Sequence, residues 1–316
     1  MNNPFGNQKS INTFIQLLKW FVLLATYSFL VYKLYAFEHY GAFLKHFQQS
    51  SIYQYFWLIL VFVLLPLNIY FETAKWQKIV EKTEHIPFRQ ALNAVLAGFA
   101  AGFVTPNRIG EMGGRMLFVS HANRKISAIY SLLNSFTQNY VIALIGLPAA
   151  VWYFFSVKSG HSYFQQYCVL ITFFILISTT IYFFMPKIVL IFTNRNRLNF
   201  LKCISDYKSI DLLSIAGFSV LRFIVFSVQF FAVLQFFGVE LSIYEAFISI
   251  PTTYLFVTFT PALAFSEAAI RSSYAVLIIG VFSNNTAGIA FAGFLLWVIN
   301  YVLPMLSGSR LIANTK

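Results

Sequence analysis

The feature that most limits what this chain can fold into is a succession of apolar windows, each long enough to cross a bilayer. They fall at about 14–36, 52–72, 127–155, 166–186, 210–237 and 286–306, with shorter or broken ones at 90–105, 244–260 and 264–282. A helix rises 1.5 Å per residue, so roughly 20 apolar residues span the ~30 Å hydrocarbon layer. Only 10% of the 316 residues are charged, against roughly a quarter in soluble domains. A water-soluble globule is thereby excluded, and 59% hydrophobic residues exclude disorder. The formal charge of +12 has no polar face from which to bind nucleic acid. The expectation is an all-α polytopic membrane protein forming a single membrane domain over 1–316.

The positive residues choose its topology, because cytoplasmic loops collect Lys and Arg. Residues Phe14 to Leu34 read as a retained first span, too long for a signal h-region. The window 90–105 is short, rich in small residues, and ends at Pro106. If it crossed fully, the loop charges would divide 13 to 7. If it dips in, breaks at Thr105-Pro106 and returns through about 108–122, they divide 17 to 3. The second arrangement is preferred. It places both termini on the cytoplasmic side of an inner (cytoplasmic) membrane.

A second break resembles the first. Thr105-Pro106 is followed by Glu111 and Arg115; Thr260-Pro261 is followed by Glu267 and Arg271. An internal repeat in a membrane protein points to duplicated halves, here about 14–155 and 166–306. Each half would be span, span, broken hairpin, span, and the preferred topology inverts one half against the other. That makes six full spans plus two proline-broken re-entrant hairpins, although the arms of the second hairpin, 244–260 and 264–282, are alternatively two full spans. Proline lacks an N–H and clashes with the preceding turn. Irregular backbone at membrane depth is tolerated only inside protein or along a wet cavity. Each returning arm also aims its positive helix end at its break, which suits an anion.

Charged and polar residues within the windows are the candidate site. Glu111 and Arg115, like Glu267 and Arg271, are four apart and share a helix face. They are either self-neutralising pairs or the lining of a passage. Arg108 is either a phosphate contact or a hairpin anchor at the interface. Secondary candidates are Arg222, which would otherwise snorkel to the headgroups, and Asn134 with Gln138, which either bond other helices or line a cavity. Glu72 is expected to pair with the basic loop beside it. Gly98 and Gly102 form a small-residue face for close helix packing. Trp20, Tyr53, Trp57 and Trp76 are expected to be interface anchors.

Catalytic signatures are missing: the sequence holds no HExxH, GxSxG, P-loop or GxGxxG. Cys168 and Cys203 form no metal or disulfide pattern. No catalytic residue, metal or cofactor is expected, and the chain is not read as an enzyme.

The segment Gly102-Phe103-Val104-Thr105-Pro106-Asn107-Arg108-Ile109-Gly110-Glu111, followed by Arg115, resembles the proline–arginine–glycine–glutamate–arginine signature of the lysylphosphatidylglycerol synthase transmembrane region, a flippase-like family. Pro261 to Glu267 resembles its second motif, a proline-to-glutamate turn. The resemblance covers about 20–310. Ala262, Ala264 and Phe265 stand where that family tends to have glycines. Neutral residues around Asn134 and Ser135 replace its frequent acidic–basic pair, and the last span, with Trp297 and Asn300, lacks its frequent arginine. The resemblance implies translocation of a lipid or lipid-linked headgroup without its synthesis.

The functional expectation is therefore a lipid flippase-like transporter whose partners are membrane lipids with anionic or lipid-linked headgroups. Arg108, Arg115 and Arg271 would contact phosphate, while Glu111 and Glu267 would take a cationic group or a coupling proton. The alternatives are an ion- or proton-coupled carrier of a small solute, and a non-transport partner of an envelope enzyme.

Overall fold

The structure is a computed structural model; it describes residues 41, 48, 51–103, 105–157, 164–193, 199–261 and 264–314. Among these the secondary structure is entirely helical, without strands. The expected span at 14–36, with Trp20, lies outside the described residues. The elements are α1 (Ile52–Val80), α2 (Phe88–Phe103), α3 (Gly110–Met116), α4 (Arg124–Val157), α5 (Phe164–Thr193), α6 (Ser209–Phe236), α7 (Ile243–Phe259), α8 (Ala264–Ile279), α9 (Thr286–Trp297) and α10 (Leu303–Asn314). A π-helical turn, Val298–Val302, joins α9 to α10.

Among the described residues, five helices are long and apolar enough to cross a membrane: α1, α4 with its preceding turn, α5, α6, and α9 running through α10. Their outward faces are apolar. α5 exposes Val169, Leu170, Phe173, Phe174 and Leu176, and α1 exposes Phe56, Ile59, Phe62 and Val63. In water such faces would be a liability; beside acyl chains they cost nothing. The inward face of α1 differs, burying Asn68, Glu72 and Lys75 at intervals of four and three residues. That stripe faces α6, the helix against which α1 packs most extensively.

α2 and α3 form a tight antiparallel hairpin, broken at a turn over Pro106–Arg108. Thr105 ends α2: its Oγ1 donates back to the Gly102 carbonyl (3.2 Å) and accepts the Gly110 N–H (2.7 Å), satisfying a first-turn donor of α3. Small residues permit the close approach. A Cβ on Gly102 would stand 2.7 Å from Glu111 Cγ, and one on Gly98 would stand 3.1 Å from Arg115 Cγ. The small-residue face read from the sequence therefore seats the charged arm.

The returning arm is shorter than the expected 108–122, because helix stops at Met116. Tertiary hydrogen bonds take the chain from there. Gln90 Nε2 donates to the Phe118 carbonyl (2.6 Å), and the Glu84 carboxylate accepts from Ser120 N (3.1 Å), Ser120 Oγ (2.7 Å) and Asn123 Nδ2 (3.0 Å). The chain thus enters and leaves this hairpin at one end of the bundle. The same end holds the Lys82–Asp211 ion pair (2.7 Å) and the Tyr207 hydroxyl bonded to the Ile79 carbonyl (2.6 Å).

Burial raises the affinity of Glu84 for a proton, but the Asn123 and Ser120 donors outweigh it and hold the carboxyl below its ordinary value. A depressed carboxyl stabilises above its unfolded value, near pH ~4.3, and ceases to as pH falls through the folded value. The difference in thermal stability between the natural protein and Glu84→Ala should be complete at neutral pH and should close below about pH 4.

The second hairpin, α7 and α8, hangs from the opposite end. Ser242 and Glu245 form a capping box at the start of α7. After α8, Asn285 caps α9 and reaches back to the Phe237 carbonyl (2.9 Å) just before α7. The arms are 17 and 16 residues long, at the short end of the roughly 17–25 residues of a spanning helix. α4 packs against α7, and α10 packs against α2. The closing helix of each proposed half thus lies against the first arm of the other half's hairpin.

Candidate functional site

Both broken corners open onto one cavity of about 420 Å³. The first hairpin supplies Asn107, Arg108 and Glu111; the second supplies Thr260, Pro261, Glu267 and Arg271. α1 adds Glu72, α4 adds Asn134, Ser135, Gln138 and Asn139, and α6 adds Arg222. Aromatic rings of Phe99, Phe226, Tyr254 and Tyr301 fill the gaps.

Glu72 is the hub of this site. Its carboxylate, 1% exposed, takes Lys75 Nζ at 2.9 Å, Arg115 Nη2 at 2.7 Å and Arg222 Nη1 at 2.7 Å, plus Asn134 Nδ2 at 2.8 Å. One residue of α1 therefore ties down α3, α4 and α6. The expected pairing of Glu72 with the adjacent basic stretch forms through Lys75, but its interfacial location is corrected: the pair is buried, and Arg115 and Arg222, 43 and 150 positions away, are buried with it. Lys75, counted among loop charges from the sequence, is wholly buried; its ammonium also donates to Gln138 Oε1 at 3.2 Å. Arg222 does not snorkel. It turns inward, with Nε on Asn68 Oδ1 at 2.9 Å.

The two glutamate–arginine pairs form as the four-residue spacing implied. Glu111 meets Arg115 at 3.1 Å and also Arg108 at 2.6 Å, while Glu267 meets Arg271 at 3.3 Å. Arg115, 1% exposed, lies behind the cavity wall, stacked over Trp76 at 4.9 Å. Trp76 is consequently core, which corrects its assignment as an interface anchor; Tyr53, at the start of α1, is 82% exposed. Asn134 and Gln138 do both things weighed for them: they bond residues of other helices and they line the cavity.

Tyr301 is a site residue that the sequence alone does not single out. Its ring stands 4.4 Å from the Arg108 guanidinium and 5.3 Å from that of Arg271, and its hydroxyl accepts from Arg271 Nη2 at 3.2 Å. It therefore touches an arginine from each hairpin. It lies on the π-helical turn, as does Asn300, whose Oδ1 accepts from Asn68 Nδ2 at 2.9 Å. Such turns recur at functional sites. The first corner is also conformationally unusual: Asn107 and Arg108 have φ of 49° and 59°. Asn tolerates the left-handed region; for arginine it costs roughly 1–2 kcal/mol, and such strain clusters at functional sites.

This arrangement places guanidinium and carboxylate groups around one chamber inside an apolar bundle. The sequence matches the family model of the lysylphosphatidylglycerol synthase TM region over residues 17–308. The chain belongs to this family. As a member it is an integral membrane protein, and the match takes in both hairpins and every cavity residue named above. No curated protein and no solved structure matches the chain.

Proposed function

We propose that this family member is a flippase-like transporter, and not an enzyme, that moves the headgroup of an anionic or lipid-linked lipid through the chamber while the acyl chains stay in the bilayer. The observation that carries this reading is that both proline-broken corners, with a Glu and an Arg from each, line the same cavity. Inverted halves are supported by the two hairpins hanging from opposite ends of the bundle and by the reciprocal packing of α4 on α7 and α10 on α2. The end carrying Lys82, Arg89, Arg124 and Lys125 would face the cytoplasm. The site would lie in the inner membrane, with both termini cytoplasmic. The cavity suits a headgroup, being within the usual 300–1,000 Å³ of small-molecule sites, and Arg108 and Arg271 offer the planar donors that phosphate takes bidentately.

The test is lipid transfer between leaflets of reconstituted vesicles. Arg271→Ala and Glu267→Gln should each slow transfer about tenfold or more, the consequence of losing roughly 1.5–3 kcal/mol in a charged hydrogen bond, while leaving the protein folded. Folded variants that transfer lipid at the natural rate would end the proposal. Uptake of a water-soluble solute without lipid movement would favour the carrier alternative.

A further inference from the structure

Resting on that reading, the charges around the cavity go further and select a class of headgroup. The wall itself is balanced, with Arg108, Arg222 and Arg271 against Glu72, Glu111 and Glu267. Behind it stand two more cations, Lys75 and Arg115, fully buried and off the cavity. Both bond wall carboxylates: Lys75 holds Glu72, and Arg115 holds Glu72 and Glu111. Those two carboxylates are thus shared between the wall arginines, Arg222 on Glu72 and Arg108 on Glu111, and the cations behind the wall. In and behind the wall five cations meet three carboxylates, a formal excess of two positive charges.

Aromatic rings carry part of that excess. Arg222 stacks on Phe226 at 5.0 Å, Arg108 on Phe99 at 5.4 Å and Tyr301 at 4.4 Å, and Arg271 on Tyr254 at 5.6 Å. Ring faces attract cations but do not cancel their charge. Arg271, 2% exposed on the cavity wall, also keeps its Nε without a protein partner. An uncompensated buried cation is costly, and a ligand of matching charge removes that cost.

We infer that the cavity is built for a phosphate group carrying two negative charges, a phosphomonoester or a diphosphate, in preference to a singly charged phosphodiester. Near neutral pH a phosphomonoester carries about −1.5 to −2, which matches the excess; a phosphodiester matches half of it. A zwitterionic headgroup matches none.

The purified full chain is offered equal concentrations of short-chain phosphatidic acid and short-chain phosphatidylglycerol, and bound lipid is read by native mass spectrometry. In a second arm the competitors are glycerol 3-phosphate, a soluble phosphomonoester, and glycerophosphoglycerol, a soluble phosphodiester. The natural protein should hold the monoester lipid at least about tenfold more tightly. Arg271→Gln, with one positive charge fewer, should bring the ratio close to one, and Glu267→Gln, with one more, should raise it. Lys75→Met should lower it as Arg271→Gln does, although Lys75 touches no ligand; a wall-contact role alone would leave it unmoved. Equal binding of the two lipids, or a ratio indifferent to these charges, overturns the inference and leaves the lipid reading standing. Binding of glycerol 3-phosphate in preference to glycerophosphoglycerol, with neither lipid retained, keeps the dianion preference and removes the lipid reading. Binding of none removes both.

Discussion

Glu72→Gln is expected to cost about 3–5 kcal/mol of stability, the scale for removing one partner from a buried ion pair. Glutamine keeps the shape and one carbonyl acceptor, so the change isolates the charge. Lys75, Arg115 and Arg222, all within 2.9 Å of that carboxylate, would be left to repel one another in a low-dielectric interior. The measurement is thermal unfolding of the detergent-purified protein, with monodispersity as a second readout. Combining Glu72→Gln with Arg222→Gln should recover part of the loss, because neighbours on one network are not additive. An unchanged midpoint in the single variant would mean that this carboxylate does not hold α1, α3 and α6 together.

The second large effect comes from two adjacent glycines that should behave oppositely. A Cβ on Gly114 would lie 2.6 Å from the Ala97 carbonyl carbon and 2.7 Å from the Gly98 nitrogen, both backbone atoms that cannot rotate away. Gly114→Ala must therefore push α3 off α2 and draw Arg115, the next residue, away from Glu72. Overpacking of this kind costs typically 1–3 kcal/mol. Gly113, one residue earlier and exposed, has open space where a methyl would stand, with no neighbouring atom within 4 Å. Gly113→Ala should be neutral or stabilising by up to about 1 kcal/mol, since alanine suits a helix better. Equal midpoints for the two variants would show that the hairpin is looser than its contacts imply.

The sequence carried the helices, because apolar runs of membrane length have few other solutions; five of the six expected full spans fall on long helices and the sixth lies outside the described residues. Both breaks were legible from Thr-Pro followed by Glu and Arg at helical spacing. The hub was not. Glu72 sits at the end of its apolar window, next to basic residues, and only the fold brings it Arg115 and Arg222. A signal was available in Asn68, Glu72 and Lys75, a polar stripe along one face of α1. Tyr301 gave no signal, since a tyrosine in a span is ordinary until two arginines are seen around its ring. The early end of α3 was equally hidden, because the chain beyond it is held by Glu84 and Gln90, 36 and 28 positions earlier.

The exchange of closing helices, α4 onto α7 and α10 onto α2, clasps the molecule like folded arms. Neither arm can be withdrawn without prising open the other, so a chain severed between α4 and α5 should give fragments that persist only when made together. The same contacts set each corner's hairpin against a helix from the other side of the chain, so neither hairpin packs only within its own stretch of sequence.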